Sequence, residues 1–235
     1  MIAPVRYQFA LLVRSHRWIP PAVLFAVGVA FLGVAGPGSS SALAHGVDLS
    51  QGLAWSALIL VPVEAWLTRA MLTAEPSAAR ACVAAAGGPR RAQLAALIAA
   101  VTMGAAFGLL GVAWEVFSLG VRRSVSTNSI MVGATFSDIG GGLAAALICL
   151  LVGSAIAALF NPPLIRRPAA AMLCTTGAVV LAWAWRASPA NAAVRSVGYG
   201  AQEKSWPTGA ALVAAIALLV VAWAVSAQVA ARRQA

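Results

Sequence analysis

Six apolar runs, each long enough to cross a lipid bilayer, follow one another along the 235 residues, and most of the charged residues fall between them. They cover about residues 18–35, 53–72, 94–119, 139–160, 169–185 and 208–230. A helix rises about 1.5 Å per residue, so roughly 20 apolar residues suffice for a hydrocarbon core of about 30 Å. In lipid a continuous apolar run must satisfy its backbone N–H and C=O groups internally, which selects the α-helix. The expected fold is an all-α membrane protein, a single transmembrane domain over residues 1–235. Composition agrees: 61% of the residues are hydrophobic and 9% charged, against about a quarter charged in soluble domains. No stretch of about 50 residues lacks an apolar run, so no part is expected to fold alone in water.

The segments between the runs have their own signals. Residues 3–17 place Val5, Phe9, Leu12 and Val13 near one face and Arg6, Arg14 and Arg17 elsewhere. That pattern predicts a helix in the membrane interface, its cations reaching anionic lipid headgroups. Gly36-Pro-Gly-Ser-Ser-Ser41 then breaks the helix. Ala42-Leu43-Ala44 has the small-x-small form of a signal-peptide cleavage site, but the run and the charged leader before it are too long for one. A short capped helix is predicted over 73–87, with Thr73 as its cap, Glu75 and Pro76 in the first turn and Gly87-Gly88-Pro89 as its stop.

Orientation follows from counting cations. With the N-terminus inside, the inner segments hold Arg6, Arg14, Arg17, Arg69, Arg80, Arg90, Arg91, Arg166, Arg167, Arg232 and Arg233, eleven in all. The outer loops hold five: Arg122, Arg123, Arg186, Arg195 and Lys204. That excess predicts both termini in the cytoplasm. The formal charge of +10 is spread between apolar runs and reads as topology, so no nucleic-acid partner is expected.

Most catalytic chemistry is excluded. His16 and His45 lie on either side of a membrane run, and Cys82, Cys149 and Cys174 are far apart, so no metal site or disulfide is expected. There is no G-x-x-x-x-G-K-[ST] loop, so the chain is not expected to be an enzyme by itself or to bind ATP. Glu64 is the one acid well inside a run, about 8 Å from the boundary marked by Arg69, with Pro62 two residues before it. A carboxylate there costs a few kcal/mol unless protonated, paired or wetted. Two readings stand: a residue of a translocation or proton path, or a bundle-facing acid paired with an arginine or reaching the interface. Pro62 frees a backbone carbonyl and is expected to bend the second span. Small residues of the fourth run, Gly140, Gly141, Gly142, Gly153 and Ser154 among them, would allow close helix contact.

The order of parts is an interfacial helix, two spans, a capped cytoplasmic helix, then four spans with a longer last outer loop. It resembles the permease subunits of ABC-2 type transporters. Val13-Arg-Ser-His-Arg-Trp-Ile-Pro-Pro21 is similar to that family's basic, proline-ended approach to the first span. Asn161-Pro-Pro-Leu-Ile-Arg-Arg167 and Arg186-Ala-Ser-Pro-Ala-Asn191 are similar to segments of small bacterial members. The resemblance implies a membrane permease subunit of an ATP-binding cassette exporter in a bacterial inner membrane. It would form the path with a second permease, as homodimer or heterodimer, above separate cytoplasmic ATPase subunits that bind ATP and Mg. The helix 73–87 would then be the coupling helix, through Glu75, Ala79, Arg80, Cys82 and Val83; its alternative is a helix lying on headgroups. The outer loop 186–206, with Ser188-Pro189 and Gly198-Tyr-Gly200, is less apolar than the re-entrant hairpin of many members. Two other readings are a non-transporting membrane anchor or assembly subunit, and a small secondary transporter.

Overall fold

The computed structural model describes residues 2–35, 49–125, 136–165, 167–198 and 208–232. The predicted break at 36–41, the small-x-small site, Arg166, Arg233, the second half of the 186–206 loop and the side chains of Arg80, Arg122 and Arg123 lie outside the described residues. Every described element is a helix: α1 Ile2–Ser15, α2 Ile19–Ala35, α3 Leu49–Leu72, α4 Ser77–Gly87, α5 Pro89–Val125, α6 Phe136–Phe160, α7 Pro168–Ala184, α8 Pro189–Gly198 and α9 Thr208–Arg232.

Among the described residues α3, α5, α6 and α9 are long and apolar enough to cross a membrane. Helices α7 and α8 meet at a 41° bend and make a fifth span if counted as one broken element. The apolar helix α2 has 17 residues, at the short end of what can span. The exterior fits lipid. Leu173 of α7, Phe117 of α5 and Val213 of α9 are 75%, 65% and 68% exposed, a surface a water-soluble monomer would not carry. The chain is a helical membrane protein with four evident spans, or five with the broken pair.

Helices α3 and α6 form the centre. Nearly three quarters (72%) of the apolar window of each is buried, against 28% for α9, whose outer face is bare. Helix α3 packs on α2, α5, α6 and α8, so it has no lipid-facing stripe comparable to that of α9. Its seam with α5 is antiparallel and built on glycines. Gly52 lies against Glu115, Ser56 against Gly111, Leu60 against Gly108 and Glu64 against Gly104. Helix α6 runs parallel to α3, and Leu53 fits over Gly142 while Val61 and Glu64 fit over Gly153. Small residues permit this approach, and dispersion contacts along it substitute for the hydrophobic drive that lipid removes.

Pro62 lies inside α3 and has no N–H for the carbonyl of Leu58. The indole Nε1 of Trp183, on α7, donates to that carbonyl at 3.2 Å. The freed acceptor anticipated from the sequence thus fastens a neighbouring helix.

Several boundaries differ from those predicted. Helix α1 stops at Ser15, where His16 takes φ 55°, so Arg17 lies beyond it. The buried face of α1 is Val5, Gln8, Phe9 and Leu12, a helical stripe, whereas Val13 is 58% exposed. The helix predicted from Thr73 begins only at Ser77, after Pro76, with no side-chain cap. The Thr73 hydroxyl instead donates to the Arg69 carbonyl at 2.9 Å and closes the end of α3. Proline at 76 resets the chain direction, so Glu75 sits in the turn and not on α4. Gly88, φ 85°, separates α4 from α5 in a conformation that disfavours any side chain. The 186–206 loop holds α8, whose buried residues Ala190, Ala192 and Ala193 are too small to print an apolar run.

Candidate functional site

Glu64 is fully buried at the middle of the bundle. Position 64 on the stripe 56, 60, 64 of α3 points it between α5 and α6. Thr68, one turn on, donates from Oγ1 to Glu64 Oε1 at 2.9 Å. Oε2 lies over Gly104 and has no hydrogen-bond partner. The sequence offered an arginine partner or a reach to the interface; neither occurs, because glycines on both facing helices leave just enough room for the carboxyl and no water-sized passage to it among the described residues. An enclosed, half-satisfied acid is costly to keep, and Leu, similar in size, would fill the space without that cost. Glu64→Gln keeps the oxygen that Thr68 bonds and nearly the same volume. It is expected to purify and melt within about 1 kcal/mol of the parent, whereas transport measured in vesicles should fall. A Gln variant with unchanged transport would leave Glu64 a packing residue alone.

One end of the bundle is tied together by side chains from α1, α3 and α7 and from the turns that follow α1, α3 and α6. Gln8 of α1 donates through Nε2 to Glu75 Oε1 at 2.9 Å, with both residues buried. Arg17 donates to the Thr73 carbonyl at 2.7 Å. The turn between α3 and α4 is therefore clasped twice by the segment of α1 and the bend after it. Arg69 of α3 donates to Asn161 Oδ1 at 2.8 Å, and Asn161 donates to the Ala157 carbonyl and to Thr175 Oγ1 at 3.0 and 3.2 Å. That knot joins α3, α6 and α7. Losing Asn161 would leave buried polar groups unpaired at about 1–3 kcal/mol each.

The sequence-derived coupling residues separate. Glu75 is buried in the clasp, Ala79 and Val83 are half-buried, and Cys82 is exposed. The outward face of α4 consists of Ala78, Ala81, Cys82 and Ala85. Arg6 and Arg14 are exposed on α1, and Arg17 is exposed while bonded to Thr73. Gln8, Asn161 and Trp183 were missed; a glutamine on the apolar stripe of α1 was the available signal for the first.

The opposite end holds a half-open cleft of about 400 Å³ between α3, α7 and α8. Trp55, Leu58 and Trp183 supply apolar walls, and Arg186 and Arg195 line it as well. Asn191 donates to the Trp183 carbonyl, while its Oδ1 is enclosed without a donor. Among the described residues no group of His, Cys, Asp and Glu could hold a metal ion. Comparison of the chain with known families, with curated proteins and with solved structures finds no match. The fold defines a class, a helical multi-pass membrane protein with a polar platform at one end and, at the other, a cleft lined by Trp55, Trp183, Arg186 and Arg195.

Proposed function

We propose that the chain is the membrane permease subunit of an ATP-binding cassette exporter of the ABC-2 type. In this reading it has six spans, α2, α3, α5, α6, α7 and α9, and sits in a bacterial inner membrane with both termini cytoplasmic. It works with a second permease subunit and is driven by separate ATPase subunits. The observation that carries the proposal is the double clasp of the α3–α4 turn, Gln8 to Glu75 and Arg17 to Thr73. It fastens α1 to the turn between α3 and α4, and α4 packs on α5, so a push on α4 would be passed to both spans. The exposed face of small side chains on α4 suits a shallow protein cleft better than lipid, which would favour large apolar groups. The short helix α8 after the bend, with alanines as its buried side, lies in the outer loop where many members have a re-entrant hairpin.

The test uses Cys82, exposed on α4, and Cys174, exposed on α7. In a Cys174→Ala background, a thiol-reactive photocrosslinker on Cys82 should trap, in native membranes, a polypeptide that carries a nucleotide phosphate-binding loop. The same reagent on Cys174, in a Cys82→Ala background, should not. Lipid adducts alone from Cys82 would overturn the coupling assignment. The enclosed Glu64 supports a second reading, a proton-coupled secondary transporter. Transport that persists after ATP depletion and stops when the proton gradient collapses would favour that reading over the first.

A further inference from the structure

We propose that the groove along α3 between α2 and α7 seats one anionic phospholipid, its phosphate at the arginine end and an acyl chain along the groove. The inference rests on the membrane location of the chain and holds under either transport reading. After Ser50, the positions of α3 that are not buried are Gln51, Trp55, Leu58, Pro62, Trp66 and Arg69. Their spacing of three and four makes them one strip. Helix α2 packs along one edge of it, where Gly28 is seated on Ile59. Helix α7 packs along the other, where Trp183 donates to the Leu58 carbonyl at 3.2 Å and Arg69 donates to the Pro168 carbonyl at 3.5 Å. Between these flanks Trp66 is 46% exposed. Met172, 56% exposed, shares a helical face with Trp183 and lies one turn in from Pro168, so it stands at about the depth of Trp66.

Charge sets the sign of the occupant. Arg17, Arg69 and Arg167 come from three segments and meet at the Trp66 end of the groove. The acceptors of Arg17 and Arg69 are neutral oxygens, those of Thr73 for the first and of Asn161 and Pro168 for the second, so neither positive charge is balanced. Arg167 is exposed and has no hydrogen bond or ion pair among the described residues. Glu75, in the turn beyond α3, is buried and accepts from Gln8. Guanidinium forks match phosphate oxygens, and an exposed indole just below them suits the boundary of headgroup and acyl chain. Length selects a lipid over a second copy of the chain. Trp183 crosses onto α3 at Leu58 and closes the groove three turns from Arg69, about 16 Å at 1.5 Å per residue. That is half of a hydrocarbon core of about 30 Å, the reach of one acyl chain, whereas a helix of a second copy would need the full thickness.

The full-length protein in zwitterionic detergent micelles is mixed with phosphatidylglycerol or phosphatidylcholine and followed by native mass spectrometry. Phosphatidylglycerol is expected to be retained over phosphatidylcholine by on the order of tenfold, given about one favourable contact per arginine near a phosphate. Arg17→Gln/Arg167→Gln should lose most of that preference. Arg6→Gln/Arg14→Gln removes the same charge from exposed positions of α1 and should keep it. Met172→Trp fills the groove, leaves every arginine in place and should retain less phosphatidylglycerol. Equal retention of the two lipids by the parent protein overturns the proposal. So does a preference lost as fully with Arg6 and Arg14, because diffuse surface charge would then account for it. Retention unchanged by Met172→Trp overturns the groove. A dimer that persists once lipid is stripped and takes up none would put a second copy there instead. Should the Arg17→Gln/Arg167→Gln protein fail to fold, Arg167→Gln alone, at an exposed and unbonded side chain, decides.

Discussion

Replacing Gly153 with alanine should destabilise the bundle more than replacing any other described glycine of the α3 seams. A Cβ at 153 would lie 2.6 Å from the carbonyl oxygen of Val61 and 3.0 Å from the Cβ of Glu64. The first of these is backbone, held in one of the two most buried of the described spans, and cannot turn aside. Alanine gains up to about 1 kcal/mol of helix propensity over glycine, but overpacking a fitted interior costs about 1–3 kcal/mol and more where backbone must move. The clash wins. Gly104→Ala meets the carboxyl of Glu64 and, at 3.1 Å, a methyl of Leu150, both at the ends of side chains that can rotate. Its cost should be smaller. The two also differ in rescue: Glu64→Ala should restore much of the stability lost in Gly104→Ala and little of that lost in Gly153→Ala. Thermal unfolding of the four variants in detergent measures this, and a Gly104→Ala protein less stable than Gly153→Ala would show that the α3–α6 contact is looser than described.

Glu75→Ala should disconnect the two ends of the proposed machine while leaving its spans intact. The substitution removes the acceptor of Gln8 Nε2 and strands a buried amide, at about 1–3 kcal/mol. That energy is local to the clasp, since Arg17 still holds Thr73. Backbone amide exchange of α1 should speed up, and ATP consumption should continue while transport falls. Replacing both Gln8 and Glu75 with leucine should recover part of the stability, because the Gln8 amide is no longer stranded, yet need not recover coupling. Arg6→Ala, at an exposed position of the same helix, should change neither. Transport that survives Glu75→Ala at full rate would remove the clasp from the path of force.

The spans were legible because lipid leaves the backbone a single way to satisfy itself, so run length alone marks α3, α5, α6 and α9. Run length says nothing about which helix faces which. The seating of Glu64 over Gly104 depends on the α3–α5 register, and no local pattern encodes that pairing. Helix α8 was not legible either: Ala190, Ala192 and Ala193 bury fully but carry almost no hydropathy signal beside Arg186, Asn191 and Arg195. Glu75 was misplaced for a different reason. Thr73, Glu75 and Pro76 make a fair helix start by composition, but the Arg69 carbonyl at the end of α3 competes for the threonine hydroxyl and takes it. The consequence of Pro62, by contrast, could be foreseen as far as the freed carbonyl, though not as far as Trp183.

The α3–α5 seam also limits how these helices can move. A larger residue meets a glycine at each step along it: Glu115 of α5 over Gly52, then Ser56, Leu60 and Glu64 of α3 over Gly111, Gly108 and Gly104. A slide of one helical turn would bring Gly52 to Gly111 and open a hole, and would press Glu64 onto the methyl of Ala100. The seam therefore has one seat, like a key cut for a single lock position, and piston motion between the two helices is closed off. Helix α4 bridges them at the clasped end, so any stroke delivered there turns α3 and α5 together as a rigid blade. In the proposed transporter the bundle would yield elsewhere, along the thinly buried contacts of α9 and at the bend between α7 and α8.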